Sequence, residues 1–87
     1  MAFYFESLIV WQKAFLVVEK TYFLIKKFPK EETYALMDQM RRAAISIPSN
    51  IAEGIGRRTL ADKNQFFYIA QGSVMELQTQ VLLAKKF

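Results

Sequence analysis

Apolar side chains recur along the first third of the chain at alternating steps of three and four residues. This spacing is typical of a helix with a coiled-coil-like seam and predicts a helix from Glu6 to Phe28. Polar pairs recur every seven residues, but the positions beside the seam are also apolar, so the solvated stripe is narrow. We therefore expect this helix to pack on two sides, within its own bundle and across a subunit interface. The predicted core row is Leu8, Trp11, Phe15, Val18, Tyr22 and Ile25, and the second row is Val10, Ala14, Val17 and Leu24.

A first turn is predicted at Phe28 and Pro29. The residue before proline is disfavoured in a helix, and proline suits the first helical position. A second helix follows, with Glu31 and Glu32 in its first turn, where the helix dipole favours carboxylates. Its predicted core row is Leu36, Met40, Ala43, Ala44 and Ile47.

Pro48 interrupts the pattern of the second helix. Proline removes one backbone donor and crowds the preceding turn, at a cost of about 3 kcal/mol in a helix interior. The sequence therefore predicts either a kink or a break with a restart, for which Asn50 and Glu53 have the spacing of an N-cap and its N3 partner. Gly54 or Gly56 is expected to end the helix in the left-handed conformation.

A third helix is predicted to begin after Thr59, which with Asp62 resembles a capping box. Gly72 lies in its middle, where glycine costs about 1 kcal/mol relative to alanine, so we expect another helix to approach closely there. No strand-like alternation occurs, and the chain is predicted to be an all-α, up-and-down helix bundle of three long helices, a single domain over residues 1–87. The predicted core row of the third helix is Phe67, Ala70, Val74, Leu77, Val81 and Ala84.

The composition narrows the class of protein. A chain of 87 residues forms one small domain, and its hydrophobic share of 53% exceeds what so small a globule readily buries, which favours a homo-oligomer. Cysteine and histidine are both absent, so disulfides, thiolate metal sites and the commonest catalytic base are excluded. No signal sequence or membrane span is evident. We expect a cytoplasmic, non-enzymatic protein without metal or cofactor, and without a membrane partner.

The net charge of +4 permits an acidic partner such as RNA or DNA, and all four arginines lie between Gln39 and Arg58. Arg41 and Arg42 are candidates for phosphate contact, because arginine offers a planar, always charged fork. The alternative is internal pairing. Arg42 lies three helical turns before Glu53, which makes that carboxylate one candidate partner, and Glu76 is the other.

Arg57, Arg58 and Lys63 lie in a predicted loop and at the start of the third helix. They are predicted either to contact nucleic acid or to form a merely solvated basic loop. The neighbouring glycines do not form a nucleotide-binding loop, since no strand precedes them. The hydroxyls and amide around Pro48 have no activating base, so capping is favoured over catalysis, and the aromatic residues are predicted to be core or interface.

Four segments carry a family resemblance: VWQKA (10–14), FP-KEE (28–32), QMRRAAISIPSNIAEGIGR (39–57) and FFYIAQGSVMELQTQVLLAK (66–85). They resemble the bacterial four-helix bundle proteins of the 23S rRNA intervening-sequence type, the S23 family. The resemblance extends to the accessory protein of diversity-generating retroelements, a basic, barrel-shaped homopentamer that binds nucleic acid and a reverse transcriptase. Family members continue into a fourth helix, which this sequence lacks.

Three functional hypotheses follow. The first is a non-enzymatic bundle that assembles into a cyclic homo-oligomer, a pentamer as the resemblance implies, and offers a basic surface to RNA or DNA. The second is a structural or protein-interaction module without a nucleic-acid ligand. The third, an RNA hydrolase, would depend on Glu53 and Glu76 alone.

Overall fold

Three α-helices make up most of the protein. The computed structural model describes residues 3–28 and 30–86, and of residues 30–33 the backbone alone. A 3₁₀ turn at Tyr4–Ser7 precedes α1 (Ile9–Ile25), and then come α2 (Lys30–Ile55) and α3 (Leu60–Lys86). No strand occurs in the described ranges, and the helices pack together. The predicted all-α bundle of three long helices is confirmed.

The first helix begins later and ends earlier than predicted, and its buried row differs from the predicted row at two positions. Ala14 and Thr21 are buried in the places predicted for Phe15 and Tyr22, which are exposed. The neighbouring rows are both apolar, and the smaller residues allow α1 to approach α2 closely. The buried or half-buried residues of α1 are Trp11, Ala14, Val18, Thr21, Leu24 and Ile25.

The second helix contributes most of the core. Every residue of its predicted row is buried or half-buried, and Met37 and Ile51 join them. Pro29 and the side chains of Glu31 and Glu32 lie outside the described residues, so the predictions on them stay predictions.

Pro48 does not interrupt α2, so the predicted break and restart are wrong. The proline is buried in the cleft between α1 and α2, which Trp11 and Val18 also line, and packing there compensates for the lost backbone bond. Asn50 is not an N-cap. Its amide Nδ2 donates to the backbone oxygen and to Oγ of Ser46, both at 2.8 Å.

The end of α2 also differs from the prediction. No glycine in the described residues has positive φ, and Gly54 lies inside the helix. The N–H groups of Gly56 and Arg57 bond back to Ala52 and Gly54, which closes the last turn without a left-handed residue. Lys63 adds a further cap, since its Nζ donates to the carbonyl of Ile55 at 2.9 Å.

The third helix begins as predicted. Thr59 Oγ1 accepts a hydrogen bond from the backbone N–H of Asp62 at 3.1 Å, and the helix runs on to Lys86. Ala70, Leu77 and Ala84 are buried. The predicted close approach of another helix to Gly72 does not occur among the described residues, since none of their atoms lies within 4 Å of a Cβ built there.

The helix α2 lies between α1 and α3 and packs against both. The protein measures 44 × 28 × 16 Å, so it is thin in one direction. Such a layer has two broad faces and little interior, and many apolar side chains of α1 and α3 consequently stay at the surface.

Candidate interaction surfaces

The turn between α2 and α3, with the start of α3, holds three basic residues, Arg57, Arg58 and Lys63. Arg57 Nη2 lies 2.9 Å from Glu53 Oε2, and its guanidinium carbon lies 4.6 Å from the centre of the Phe66 ring. Arg58 is exposed, and among the described residues it makes no ion pair or side-chain hydrogen bond. Of the residues predicted to contact nucleic acid, these three share one end of the molecule, but their side chains differ in how many contacts hold them in place. Arg57 is held from two sides, Lys63 caps α2, and Arg58 projects into solvent.

The helical arginines lie on a different surface. Arg42 Nε pairs with Asp38 Oδ2 at 3.1 Å, one turn back on the same helix, and both side chains are largely exposed. The predicted pairing of Arg42 with Glu53 or Glu76 is therefore wrong. Glu53 pairs with Arg57 instead, and Glu76 accepts a hydrogen bond from Gln80 Nε2 at 3.1 Å.

Arg41 is half-buried beside α1. Its guanidinium carbon lies 5.8 Å from the centre of the Tyr22 ring, a cation–π arrangement across the two helices. This contact stabilises the packing of α1 on α2. No sequence pattern indicates this contact, because the periodicity of α1 predicts Tyr22 in the core.

A polar link joins α2 to α3. Ser46 Oγ lies 2.8 Å from Ser73 Oγ and also accepts from Asn50 Nδ2 at 2.8 Å. All three side chains are partly buried, and each of them has a partner. These groups fix the register of the two helices.

An open apolar groove of about 560 Å³ runs between α1 and α3. A second groove continues it along the same two helices. From Val10 to Leu24 the pair extends for about 20 Å at the helical rise per residue. The walls of the first groove include Val10, Val17, Val74 and Leu77, and its polar residues are Lys13, Gln71 and Gln78.

A row of aromatic rings covers the opposite side of α1. The rings of Phe5 and Phe15 lie 5.2 and 5.3 Å from that of Trp11, at tilted angles, and Phe3 stacks on Phe5. Trp11 is half-buried, whereas Phe3 and Phe15 are exposed. The prediction that the aromatic residues are core or interface thus holds for Trp11 as core, and its neighbours Phe3 and Phe15 remain exposed among the described residues.

No three carboxylates among the described residues come together as a metal site would require. None of the described helices is long and apolar enough to cross a membrane.

The family model described as 23S rRNA-intervening sequence protein matches residues 6–87 of this chain. No curated protein matches it. The match includes all three helices and every basic residue discussed above.

Proposed function

Because the chain belongs to the 23S rRNA-intervening sequence protein family, we propose that it is a non-enzymatic helical module that assembles with copies of itself into a closed ring and presents a basic surface to RNA or DNA. Five copies is the number that the resemblance implies. The observation that carries the assembly is the exposure of α1. Its side chains Ile9, Val10 and Phe23 are 69%, 57% and 64% exposed in the single chain.

Exposed apolar side chains are ordinary when they are scattered, but here they form continuous rows. On α1 they extend from the groove to the outer side of the helix, and α3 adds others. Contiguous apolar surface of this kind marks interaction sites in soluble proteins. Burying it between copies would supply the core that a thin three-helix layer lacks.

Light scattering of the purified chain at micromolar concentration tests the assembly. We expect a mass several times that of one chain. Replacing Val10 and Val17 in the groove wall by glutamine should lower the mass, while Tyr34→Gln on the exposed surface of α2, away from both grooves, is the control for added polarity. A folded wild-type monomer would contradict the proposal.

Nucleic-acid binding is the second part of the proposal, and the α2–α3 turn supports it. Three basic residues lie together there. Arg58 has no ion-pair partner among the described residues, Arg57 lies beside the ring of Phe66, and Lys63 lies at the end of α2. Arginine binds phosphate oxygens with a planar fork, and aromatic rings stack on unpaired bases. The binding would be electrostatic and only weakly dependent on sequence.

A salt titration of binding to a single-stranded RNA tests this part. Replacing Arg57 and Arg58 together by alanine should weaken binding and reduce the slope of log affinity against log salt by about one to two units. The oligomeric mass should not change. Unchanged binding by this variant, or no binding by the wild type at low salt, would favour the alternative of a protein-interaction module without a nucleic-acid ligand.

A further inference from the structure

The exposed edge of α1 beside the grooves carries a regular row of alternating apolar and basic residues, of which Lys13 lines the first groove and Lys20 the second. Its members follow each other at steps of four and three, which keeps them on one face of the helix and its final turn. All six are exposed, and no ion pair among the described side chains involves the three lysines. We call this the lysine row; it consists of Ile9, Lys13, Leu16, Lys20, Phe23 and Lys27.

The outer side of α3 carries a row with the same period and the opposite charge. Its residues also follow each other at steps of three and four, and all of them are exposed. It lies on the side of α3 that faces away from the groove, since none of its members lines either groove. We call this the acidic row; it consists of Asp62, Gln65, Ile69, Gly72, Glu76, Thr79 and Leu83.

The two rows are opposite in charge, with three lysines against two carboxylates, and the two carboxylates have the spacing of two of the lysines. Lys13 and Lys27 are fourteen residues apart, and so are Asp62 and Glu76. Each pair therefore spans about 21 Å along its helix. Neither carboxylate has an ion-pair partner among the described side chains, although Glu76 accepts one hydrogen bond from Gln80.

Gly72 gives an independent reason to place a helix against the acidic row. Glycine weakens a helix interior, and none of the described residues has an atom within 4 Å of the position where its Cβ would be. Close approach of another backbone is a physical reason for glycine at such a site, and here that backbone must come from outside the chain.

We infer that the lysine row of one copy packs against the acidic row of the next, with Gly72 at the closest approach. The inference rests on the proposed self-assembly and names its contact surfaces. The two rows are different surfaces of the same chain, so the contact is head-to-tail. Such a contact leaves each end copy with one free row, and it closes into a ring when the rotation between copies allows.

Charge reversal tests the contact. One variant carries Lys13→Glu and Lys27→Glu, and a second carries Asp62→Lys and Glu76→Lys. Each alone places like charges across the contact, and we expect its dissociation constant, measured by sedimentation, to rise at least about tenfold. An equimolar mixture of the two restores opposite charges at every contact between unlike variants. It should associate again, into open or even-numbered assemblies, because a ring of five would keep one contact between like variants. The control variant carries Glu19→Lys and Lys26→Glu. Both residues are exposed, one on α1 and one directly after it, and neither belongs to the lysine row, so this variant should associate as the wild type does.

Gly72→Leu is a test that does not depend on charge. The substitution meets open space in the single chain and favours the helix, so circular dichroism should report a helix content at least equal to the wild type. Association should nevertheless weaken, by at least about tenfold, because the side chain fills the space of the neighbouring helix.

The outcomes separate this inference from the proposed function. A monomeric wild type overturns both. A wild-type oligomer that the two charge variants and Gly72→Leu leave intact overturns the inference alone, and so do charge variants that dissociate but do not associate when mixed. Dissociation of each variant with recovery in the mixture supports it.

Discussion

Gly54 of α2 lies directly against Phe67 of α3. A Cβ built on Gly54 would stand 2.6 Å from Cε1 of the Phe67 ring and 3.1 Å from the carbonyl oxygen of Lys63. The glycine is therefore explained by helix–helix distance and not by a left-handed turn. It allows the end of α2 to meet the start of α3 where the basic turn is formed.

We expect Gly54→Ala to lower the free energy of unfolding by roughly 1–2 kcal/mol, because the overlap with Phe67 outweighs the better helix propensity of alanine. Urea denaturation at one fixed protein concentration measures it. Gly56→Ala is the matched control, since its nearest neighbours would lie at an ordinary 3.6 Å. In a Phe67→Ala background, Gly54→Ala should lower the free energy of unfolding by less. An equal loss in that background would mean that the added methyl group does not overlap with Phe67.

Ser46→Ala should destabilise the protein by about 1–2 kcal/mol. The substitution leaves Ser73 without its bond across the helices and removes one of the two acceptors of Asn50. Ser73→Ala should cost less, because Asn50 then keeps both of its bonds. A double-mutant cycle over the two serines should give a coupling of about 0.5–1 kcal/mol, and purely additive losses would argue against the link.

Arg42→Ala should change stability by less than about 1 kcal/mol. The Arg42 side chain is 72% exposed, and its ion pair with Asp38 is a surface pair within one helix. A loss of several kcal/mol in urea denaturation would mean that Arg42 has a buried carboxylate as partner, as the sequence had suggested. Asp38→Asn serves as the control, since it removes the same pair from the other side.

Arg58→Ala should reduce RNA affinity without changing thermal stability, because the side chain has no partner among the described residues. Arg57→Ala should weaken binding and also lower stability slightly, since this residue pairs with Glu53 and covers Phe66. Filter binding across a salt series, beside thermal melts, separates the two effects. If both variants changed the melting temperature equally, the stabilising role assigned to Arg57 alone would be wrong.

The sequence identified the helices well and their contacts less well. The core row of α2 follows from periodicity, because its opposite face is polar enough to decide the orientation. The core row of α3 also follows, although the outer side of that helix carries apolar residues as well. Phe67 is the exception, since it is exposed and the prediction for it is wrong. On α1 two apolar rows adjoin, and periodicity cannot choose between Phe15 and Ala14 for the buried position. The close packing against α2 decides it in favour of the smaller residue.

The predicted ion pairs failed for a different reason. Arg42 was matched with Glu53 three turns away, although Asp38 stands at the i,i+4 spacing that favours a pair on one helix. The same spacing joins Glu53 to Arg57. Local spacing was thus the better guide. The cap of Lys63 on Ile55 and the stacking of Arg57 on Phe66 depend on the angle between α2 and α3, which no sequence pattern specifies.

The arrangement of α2 between its two neighbours has a consequence for the order of unfolding. Because α1 packs chiefly on α2, it can detach while the α2–α3 hairpin keeps its mutual packing. Trp11 is the single tryptophan of the chain, and its ring lies on α1 between Phe5 and Phe15. Its fluorescence therefore monitors the departure of α1, whereas circular dichroism follows all three helices. In a dilute sample the emission should change at a lower urea concentration than the ellipticity, and coincident transitions would show that the three helices unfold as one cooperative unit.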